Sequence, residues 1–398
     1  EHLAVGGVHT EDYCTFGTAL SSLVRSSSCS GDGGVMLDLA RSNAAIHTAI
    51  VDNGGCVVPC SPSPLALAKA CKNGDELAGM RACHAVDGAA LVRLFAWMEE
   101  HIQAGHSITE VDVVEAAREF RRRSGGLSYL GESFHAISGA GPNGAIVHYR
   151  ADRAAPNHRC LQQNEPFLFD SGGQYLEGTT DVTRTFHWGE PTAHHREMYS
   201  RVLQGHIALD TAVFPAGTPG FALDAFARRP LWDHGLDYAH GTGHGVGAAL
   251  HVHEGPATIA QRWENTQPLL PGMVVSCEPG YYESGEEEGF GIRIENLLVV
   301  VEQPSDKSTS VDSSEPSFLQ FERLTVVPIQ TSMLLMPPDE NNSAFRSLLT
   351  ESERRWVDEY HAEVWELLSP QLQHPDDRAA LKWLEKACAA LPECVQVC

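Results

Sequence analysis

The sequence predicts an α+β protein in which helices cover an antiparallel or mixed sheet. Two patterns carry this. Apolar residues recur every three or four positions at Leu91, Phe95, Met98 and Ile102, and again at Trp356, Tyr360, Val364 and Leu367. Between Phe134 and Val301 short apolar runs such as Phe167-Leu168-Phe169 and Met273-Val274-Val275 alternate with glycine-rich turns. A length of 398 residues exceeds one simple core, so two or three structural units are expected.

Residues 1–65 read as a small mixed piece. It holds a Ser/Gly-rich loop from Ser26 to Gly34, a short strand over Gly34–Asp38, and a boundary at Cys60-Ser61-Pro62-Ser63-Pro64, where proline restricts the chain. The piece reads as the end of a larger domain. Residues 65–105 follow as helix. A second helix starts near Thr109, with Thr109 and Asp112 as a capping box and Val113, Ala117 and Phe120 on one face. Arg121-Arg122-Arg123 suits the carbonyl end of its dipole and reads as a helix terminus rather than a binding patch. Further helices are expected from about His195 to Val213 and from about Phe221 to Ala227. Glu302–Ser317, rich in Ser, Asp, Glu and Pro, reads as a mobile surface loop. Thr350-Glu351-Ser352-Glu353 opens an amphipathic helix, and a short last helix contains Leu381 and Leu384.

Composition narrows the function. The 28 Lys+Arg against 52 Asp+Glu leave a net charge of −24, which argues against unspecific binding to nucleic acid or to an anionic membrane. Eleven cysteines include no CxxC pair and no Cys/His cluster of zinc-finger spacing, so reduced thiols in a cytoplasmic protein are expected. No run reads as a signal peptide or as a transmembrane stretch of about 20 apolar residues.

Five segments hold the chemistry. Asp170 ends a strongly apolar run, and Asp181 follows 11 residues later in Thr180-Asp181-Val182-Thr183-Arg184-Thr185. Two strands joined by a turn would set these acids side by side, where like charges need a cation or a proton between them. Alone, the pair reads equally well as turn carboxylates. The third segment is His240-Gly241-Thr242-Gly243-His244-Gly245-Val246-Gly247, followed by His251-Val252-His253-Glu254. Its glycines let the backbone approach a site closely, and its histidines are not what a phosphate loop requires. As a strand, the following stretch would put His251 and His253 on one face. Glu278 ends another apolar strand, and in Gly291-Ile292-Arg293-Ile294-Glu295-Asn296 alternation points Arg293 and Glu295 to one face. Four carboxylates and one imidazole fit a pair of divalent ions such as Mn²⁺, Zn²⁺ or Co²⁺. Ser171 and Cys277 adjoin the key acids, but strand neighbours point to opposite faces, which disfavours a serine or cysteine nucleophile.

The ordered set Asp170, Asp181, His244, Glu278 and Glu295 resembles the metallopeptidases of the pita-bread, creatinase/aminopeptidase-like fold. Within them it looks most like the large three-domain cytosolic Xaa-Pro aminopeptidases (aminopeptidase P). The matching stretches are 141–149, His240–Gly247, 252–256, 278–282 and 289–296. The resemblance implies that residues 1–65 are the remnant of a middle creatinase-like domain, with an N-terminal domain missing. Residues 66–330 would be the pita-bread catalytic domain and 331–398 a C-terminal helical extension. It further implies that Asp170 chelates one metal, that His244 and Glu278 hold the other, and that Asp181 and Glu295 bridge them. Mn²⁺ is the expected ion, with Zn²⁺ or Co²⁺ also suited. Glu278 would shuttle the proton, His148 and His253 would bind the substrate and steady its intermediate, and His240 would line the proline side. Arg293 and Tyr282 would orient the bridging carboxylates. Substrates would be short peptides with proline second, and the expected unit is a homodimer. Glu286-Glu287-Glu288 lengthens the loop between the last two segments without moving either ligand, both being read as strand residues. Prolidase, cleaving only Xaa-Pro dipeptides, and a non-enzymatic peptide- or protein-binding module on the same fold are the rival readings. Methionine aminopeptidase lacks the long C-terminal extension.

Overall fold

The computed structural model describes residues 10–26, 34–154, 157–304, 317–338 and 344–396. The loops expected over Ser26–Gly34 and Glu302–Ser317 therefore lie mostly outside the described residues. The chain forms two compact units, Glu1–Lys69 and Ala70–Cys398.

The smaller unit contains α1 (Phe16–Ser26), β1 (Val35–Leu37), α2 (Ala44–Asp52) and β2 (Val57–Pro59), and α3 (Pro64–Ala70) closes it. β1 and β2 pair in parallel with Val35 opposite Val57. Val24, Leu37 and Ile50 form its small core.

The larger unit opens with α4 (Gly74–Gln103) and α5 (Glu110–Gly125). The helix expected over residues 65–105 is thus broken near residue 72. There Cys71 bridges Met273, and the Lys72 amide donates to the Gly272 carbonyl at 2.9 Å. Asn73 then caps α4 reciprocally with Glu76. The α5 capping box forms as read: the Thr109 amide donates to Asp112 Oδ2 at 2.9 Å and the Asp112 amide to Thr109 Oγ1 at 3.2 Å. The arginine triplet divides. Arg122 and Arg123 stay at the surface on Glu119, whereas Arg121 turns inward, pairs with Asp87 at 2.7 Å and donates to Ser171 Oγ at 3.1 Å.

Next come β3 (Tyr129–Glu132), β4 (Ile137–Ala140), β5 (Phe167–Ser171), β6 (Gly173–Tyr175) and β7 (Val182–Phe186). β4, β5 and β7 make an antiparallel sheet with Asp170 opposite Thr183, while β6 leaves it to pair with β3. Asp170 and Asp181 are therefore joined by an excursion through β6 rather than by the simple turn expected. α6 (Ala193–Asp210), β8 (Phe214–Pro215) and α7 (Phe221–Trp232) follow. α7 outlasts its expected end at Ala227 because Leu223, Ala227 and Leu231 continue one buried face past the polar arginines. Then come β9 (Gly243–His244), β10 (Thr258–Ile259), β11 (Val274–Cys277), β12 (Gly280–Glu283), β13 (Phe290–Arg293), β14 (Asn296–Glu302) and β15 (Phe318–Arg323). A second antiparallel sheet runs in the order β11-β14-β15-β8. The chain closes with β16 (Phe345–Ser347), α8 (Glu351–Leu368), α9 (Arg378–Ala387) and β17 (Cys394–Gln396). α8 begins at the capping box of Thr350 and Glu353.

α4 is buried on opposite sides, which the single apolar stripe understated. Leu91, Leu94, Phe95 and Met98 pack with Phe167, Phe169 and Phe186 of the first sheet. Val92 and Ala96 join a second cluster with Val202 of α6, Ile292 and Ile294 around β13, and Trp356 and Tyr360 of α8. Each such large apolar side chain contributes about 1.5–3 kcal/mol on burial, so the helix ties the first sheet to the layer of α6, β13 and α8.

Candidate metal centre

Five acidic or imidazole side chains arrive at the ends of strands. Asp170 is the penultimate residue of β5, Asp181 immediately precedes β7, and His244 ends β9. Glu278 follows β11 and Glu295 sits between β13 and β14, so neither is inside a strand as expected. The backbone knits these ends together: the Glu295 amide donates to the Thr183 carbonyl at 3.1 Å and the Glu278 amide to the Thr242 carbonyl at 2.8 Å. Gly243 is demanded by close approach, since a Cβ there would overlap the Ser276 carbonyl. Ile292 and Ile294 point into the core, leaving Arg293 and Glu295 on the other face, in the alternation that was read.

Asp170, Asp181, His244, Glu278 and Glu295 line one cavity of about 360 Å³ together with His148, His240, His253 and Arg293. Potential ligand atoms of Asp181, His244 and Glu295 lie within 4.8 Å of one another, a spacing one metal ion could span. His244 Nε2 is 3.4 Å from Glu278 Oε1 and 3.6 Å from Asp181 Oδ2. Its Nδ1–H donates to the Gly245 carbonyl at 3.1 Å, which leaves the Nε2 lone pair facing the carboxylates. Glu295 Oε2 accepts from Thr183 Oγ1 at 2.7 Å, and Asp170 Oδ2 accepts from Arg293 at 2.6 Å. Asp170 Oδ1 is buried without a hydrogen-bond partner among the described residues. Such an atom, beside an outward-facing imidazole lone pair and a set of oxygen and nitrogen donors, fits divalent cations.

The electrostatics point the same way. Burial raises the Asp181 carboxyl well above its usual range, and the charges of Glu295, Asp170 and Glu278 add to the rise. Glu295 is raised well above its usual range by burial and then by Glu278 and Asp170. Burial pushes Glu278 up to about 8 against the pull of Arg293. Carboxyls that close share protons unless cations stand between them. Arg293, 2% exposed, is the cation that links the cluster's supports: it donates to Asp170, to Tyr282 Oη at 2.6 Å and to Thr183 Oγ1 at 3.1 Å. Tyr282 in turn donates to His240 Nε2 at 2.8 Å, because His240 Nδ1–H is committed to the Gly241 carbonyl. Burial and the charge of Arg293 lower the His240 imidazole to about 4, keeping it neutral.

His253 does not lie on a strand. It sits exposed in an irregular segment, its ring edge-on to His244 with centroids 4.3 Å apart. His148 is likewise exposed at the cavity, whereas His251 is exposed and does not line it. Phe134 and Ile137, which with Val147 give the cavity an apolar wall, and Arg262 were not singled out from the sequence. Sequence reasoning also missed Thr183, whose signal was present in its alternation with Asp181. A larger cavity of about 530 Å³, lined by Arg93, Ser124, Gln371 and His374, contains none of these ligand candidates.

The profile of metallopeptidase family M24 matches residues 78–302, and that of the C-terminal region of peptidase M24 matches residues 317–391. The chain belongs to metallopeptidase family M24. Aminopeptidase P2 of Arabidopsis thaliana is 51% identical over 311 residues, covering 78% of this chain and 41% of that protein. A probable Xaa-Pro aminopeptidase P of Laccaria bicolor is 45% identical over 386 residues, covering 96% and 56%. The chain thus spans about half the length of the curated relatives it matches. The crystal structure of an X-prolyl aminopeptidase from Caenorhabditis elegans, described as a cytosolic enzyme with a di-nuclear active site, matches with a TM-score of 0.82 at 36% identity. That match covers 98% of this chain and 59% of the other. This M24 chain has the pita-bread fold and a C-terminal region, the fold class read from its sequence. No described helix is long and apolar enough to cross a membrane.

Proposed function

We propose that this chain carries the catalytic part of a dinuclear Xaa-Pro aminopeptidase, which releases the first residue from peptides with proline second. The observation that carries the reading is the convergence of Asp170, Asp181, His244, Glu278 and Glu295 on one cavity, with ligand atoms of three of them within 4.8 Å. The relatives' names and the C. elegans enzyme's di-nuclear site support it. In this reading Asp170 would hold one ion, His244 and Glu278 would hold the other, and Asp181 and Glu295 would be shared by the pair. Mn²⁺ is the proposed ion. When bound, the two ions supply a water of lowered pKa and polarise the carbonyl before proline.

The chain's own groups do the rest. Glu278, a carboxylate lining the cavity, takes the proton from the nucleophile and passes it to the imide nitrogen that leaves. His253 and His148, exposed residues that line the cavity, donate to the carbonyl oxygen as charge develops on it. The acidic site anchors the substrate's free amino group and so selects the chain end. Proline brings no N–H, so its side of the cavity needs no acceptor for one, and His240, held neutral, lines it. Arg293 and Tyr282 hold the carboxylates and His240 in place through the bonds described. We assign catalysis to residues 66–330, treat 331–398 as a helical extension, and read 1–65 as the end of a preceding domain. The same reading places a homodimer in the cytoplasm. All nine cysteines among the described residues are free thiols, which supports the compartment.

Turnover of an Xaa-Pro dipeptide against an Xaa-Pro-Xaa tripeptide, with Mn²⁺ present, tests the reading. Efficient tripeptide cleavage is expected. Strong preference for the dipeptide replaces it by prolidase, and metal binding without turnover of either replaces it by a binding module.

A further inference from the structure

Arg184 lies on β7 beside Thr183, with 1% of its surface exposed. Its guanidinium reaches six oxygens. Nε donates to the Pro328 carbonyl at 3.0 Å, and Nη1 to the carbonyls of Thr183 at 2.8 Å and Glu295 at 2.7 Å. Nη2 donates to Asn296 Oδ1 at 2.8 Å, the Val327 carbonyl at 2.7 Å and Tyr360 Oη at 2.9 Å. Every acceptor is neutral. Here a fully buried cation uses its fork to tie backbone segments together rather than to neutralise a side-chain carboxylate.

Two of those segments belong to the candidate metal centre. Thr183 and Glu295 are the residues joined by the 2.7 Å bond from Thr183 Oγ1 to Glu295 Oε2. Arg184 therefore holds the main chain at both ends of the bond that aims the Glu295 carboxylate. The other anchor is Tyr360 of α8, whose hydroxyl also donates to the Val327 carbonyl at 2.7 Å and whose ring stacks on Trp356 with centroids 5.3 Å apart. α8 supplies none of the five candidate ligands, yet it touches the group that sets one of them.

We propose that Arg184, oriented by Tyr360, is a positioning residue that presets Glu295 for divalent-cation capture, so that the C-terminal region shapes the metal centre without contributing a ligand. This rests on the metal-centre reading given above. The test strips the chain with a chelator and titrates it with Mn²⁺, following heat and the electron paramagnetic resonance signal of the bound ions. Arg184→Lys keeps the charge and loses the fork, and is expected to weaken Mn²⁺ binding by about 10–100-fold and alter the spin coupling between paired ions. Tyr360→Phe removes one anchor and is expected to weaken binding by about threefold to tenfold. Val364→Ala, a cavity elsewhere on the buried face of α8, is expected to lower the melting temperature with no change in Mn²⁺ affinity. The proposal is overturned if Arg184→Lys and Tyr360→Phe melt earlier yet bind Mn²⁺ with unchanged affinity and signal. Should Arg184→Lys fail to fold, Tyr360→Phe decides. Failure of the unaltered chain to bind Mn²⁺ removes the metal-centre reading itself, an outcome distinct from a defect confined to the variants.

Discussion

Two ion pairs, one within α7 and one between α7 and its C-cap Asp233, make a matched experiment. Arg228 and Asp224 stand one turn apart at 2.6 Å, with side chains 3% and 2% exposed. Arg229 and Asp233 have the same spacing at 3.8 Å, with side chains 80% and 61% exposed. Asp224→Ala strands a buried guanidinium and also removes the acceptor for Thr242 Oγ1, 2.6 Å away. Removing one partner of a buried pair costs about 3–5 kcal/mol. Arg228 would keep the half-exposed Asp237 at 2.7 Å and the carbonyls of Tyr238 and His240, so the lower end, about 3 kcal/mol, is expected. Arg229→Ala should cost no more than about 0.5 kcal/mol. Urea unfolding followed by tryptophan fluorescence reads both. The 7 tryptophans fall between Trp97 and Trp383, so the signal reports the Ala70–Cys398 unit alone. A cost below about 1 kcal/mol for Asp224→Ala, or equal costs for the two variants, would refute the claim that burial decides the value of these pairs.

Thr183→Val keeps shape but removes the bond to Glu295 and an acceptor for Arg293. Isothermal titration should show Mn²⁺ binding weakened by about 10–100-fold, and unchanged affinity would count against Thr183 as its orienter. Glu278→Gln should lower kcat on an Xaa-Pro-Xaa tripeptide by about 10²–10⁴-fold even at saturating Mn²⁺, and near-normal kcat would remove Glu278 as proton shuttle. His361 is lowered to about 4, first by burial and then by the charge of Arg184. The unfolded chain takes up this proton near pH 6.5 and the folded chain only near 4, so folding loses about 3 kcal/mol as pH falls through that window. Denaturant midpoints of His361→Gln across pH 4–7 should lack this component, and identical pH slopes in both proteins would contradict it.

The parts of the molecule legible in the sequence are those specified locally or by order. The capping boxes at Thr109 and Thr350 involve residues three apart, and each opens the helix it was read to open. The motif order of acids and histidines pointed to family M24 because it spans several segments at once. What escaped depends on distant partners. Arg121 looked like the end of a basic run until Asp87 drew it inward, and Arg184 shows no pattern that announces contacts with residues 327, 328 and 360. The buried pair of Lys72 and Glu254, at 3.0 Å, joins positions 182 residues apart. His253 defied strand alternation because its segment is irregular, and Phe134 and Ile137 of the apolar wall lie outside every matching stretch.

The five candidate ligands are delivered by strand ends strung from residue 170 to residue 295, and Arg184 extends the set to Tyr360. Such a pocket does not exist in an unfinished chain. During synthesis the five groups cannot together hold a pair of ions until β14 has docked beside β11, long after Asp170 and Asp181 have emerged. On this reading metal capture would be a late event that reports completed topology, and it should act on the protein's lifetime more than on its folding speed. Bound ions would slow unfolding by stabilising the finished state, while the early steps, which lack the pocket, would proceed as fast without them.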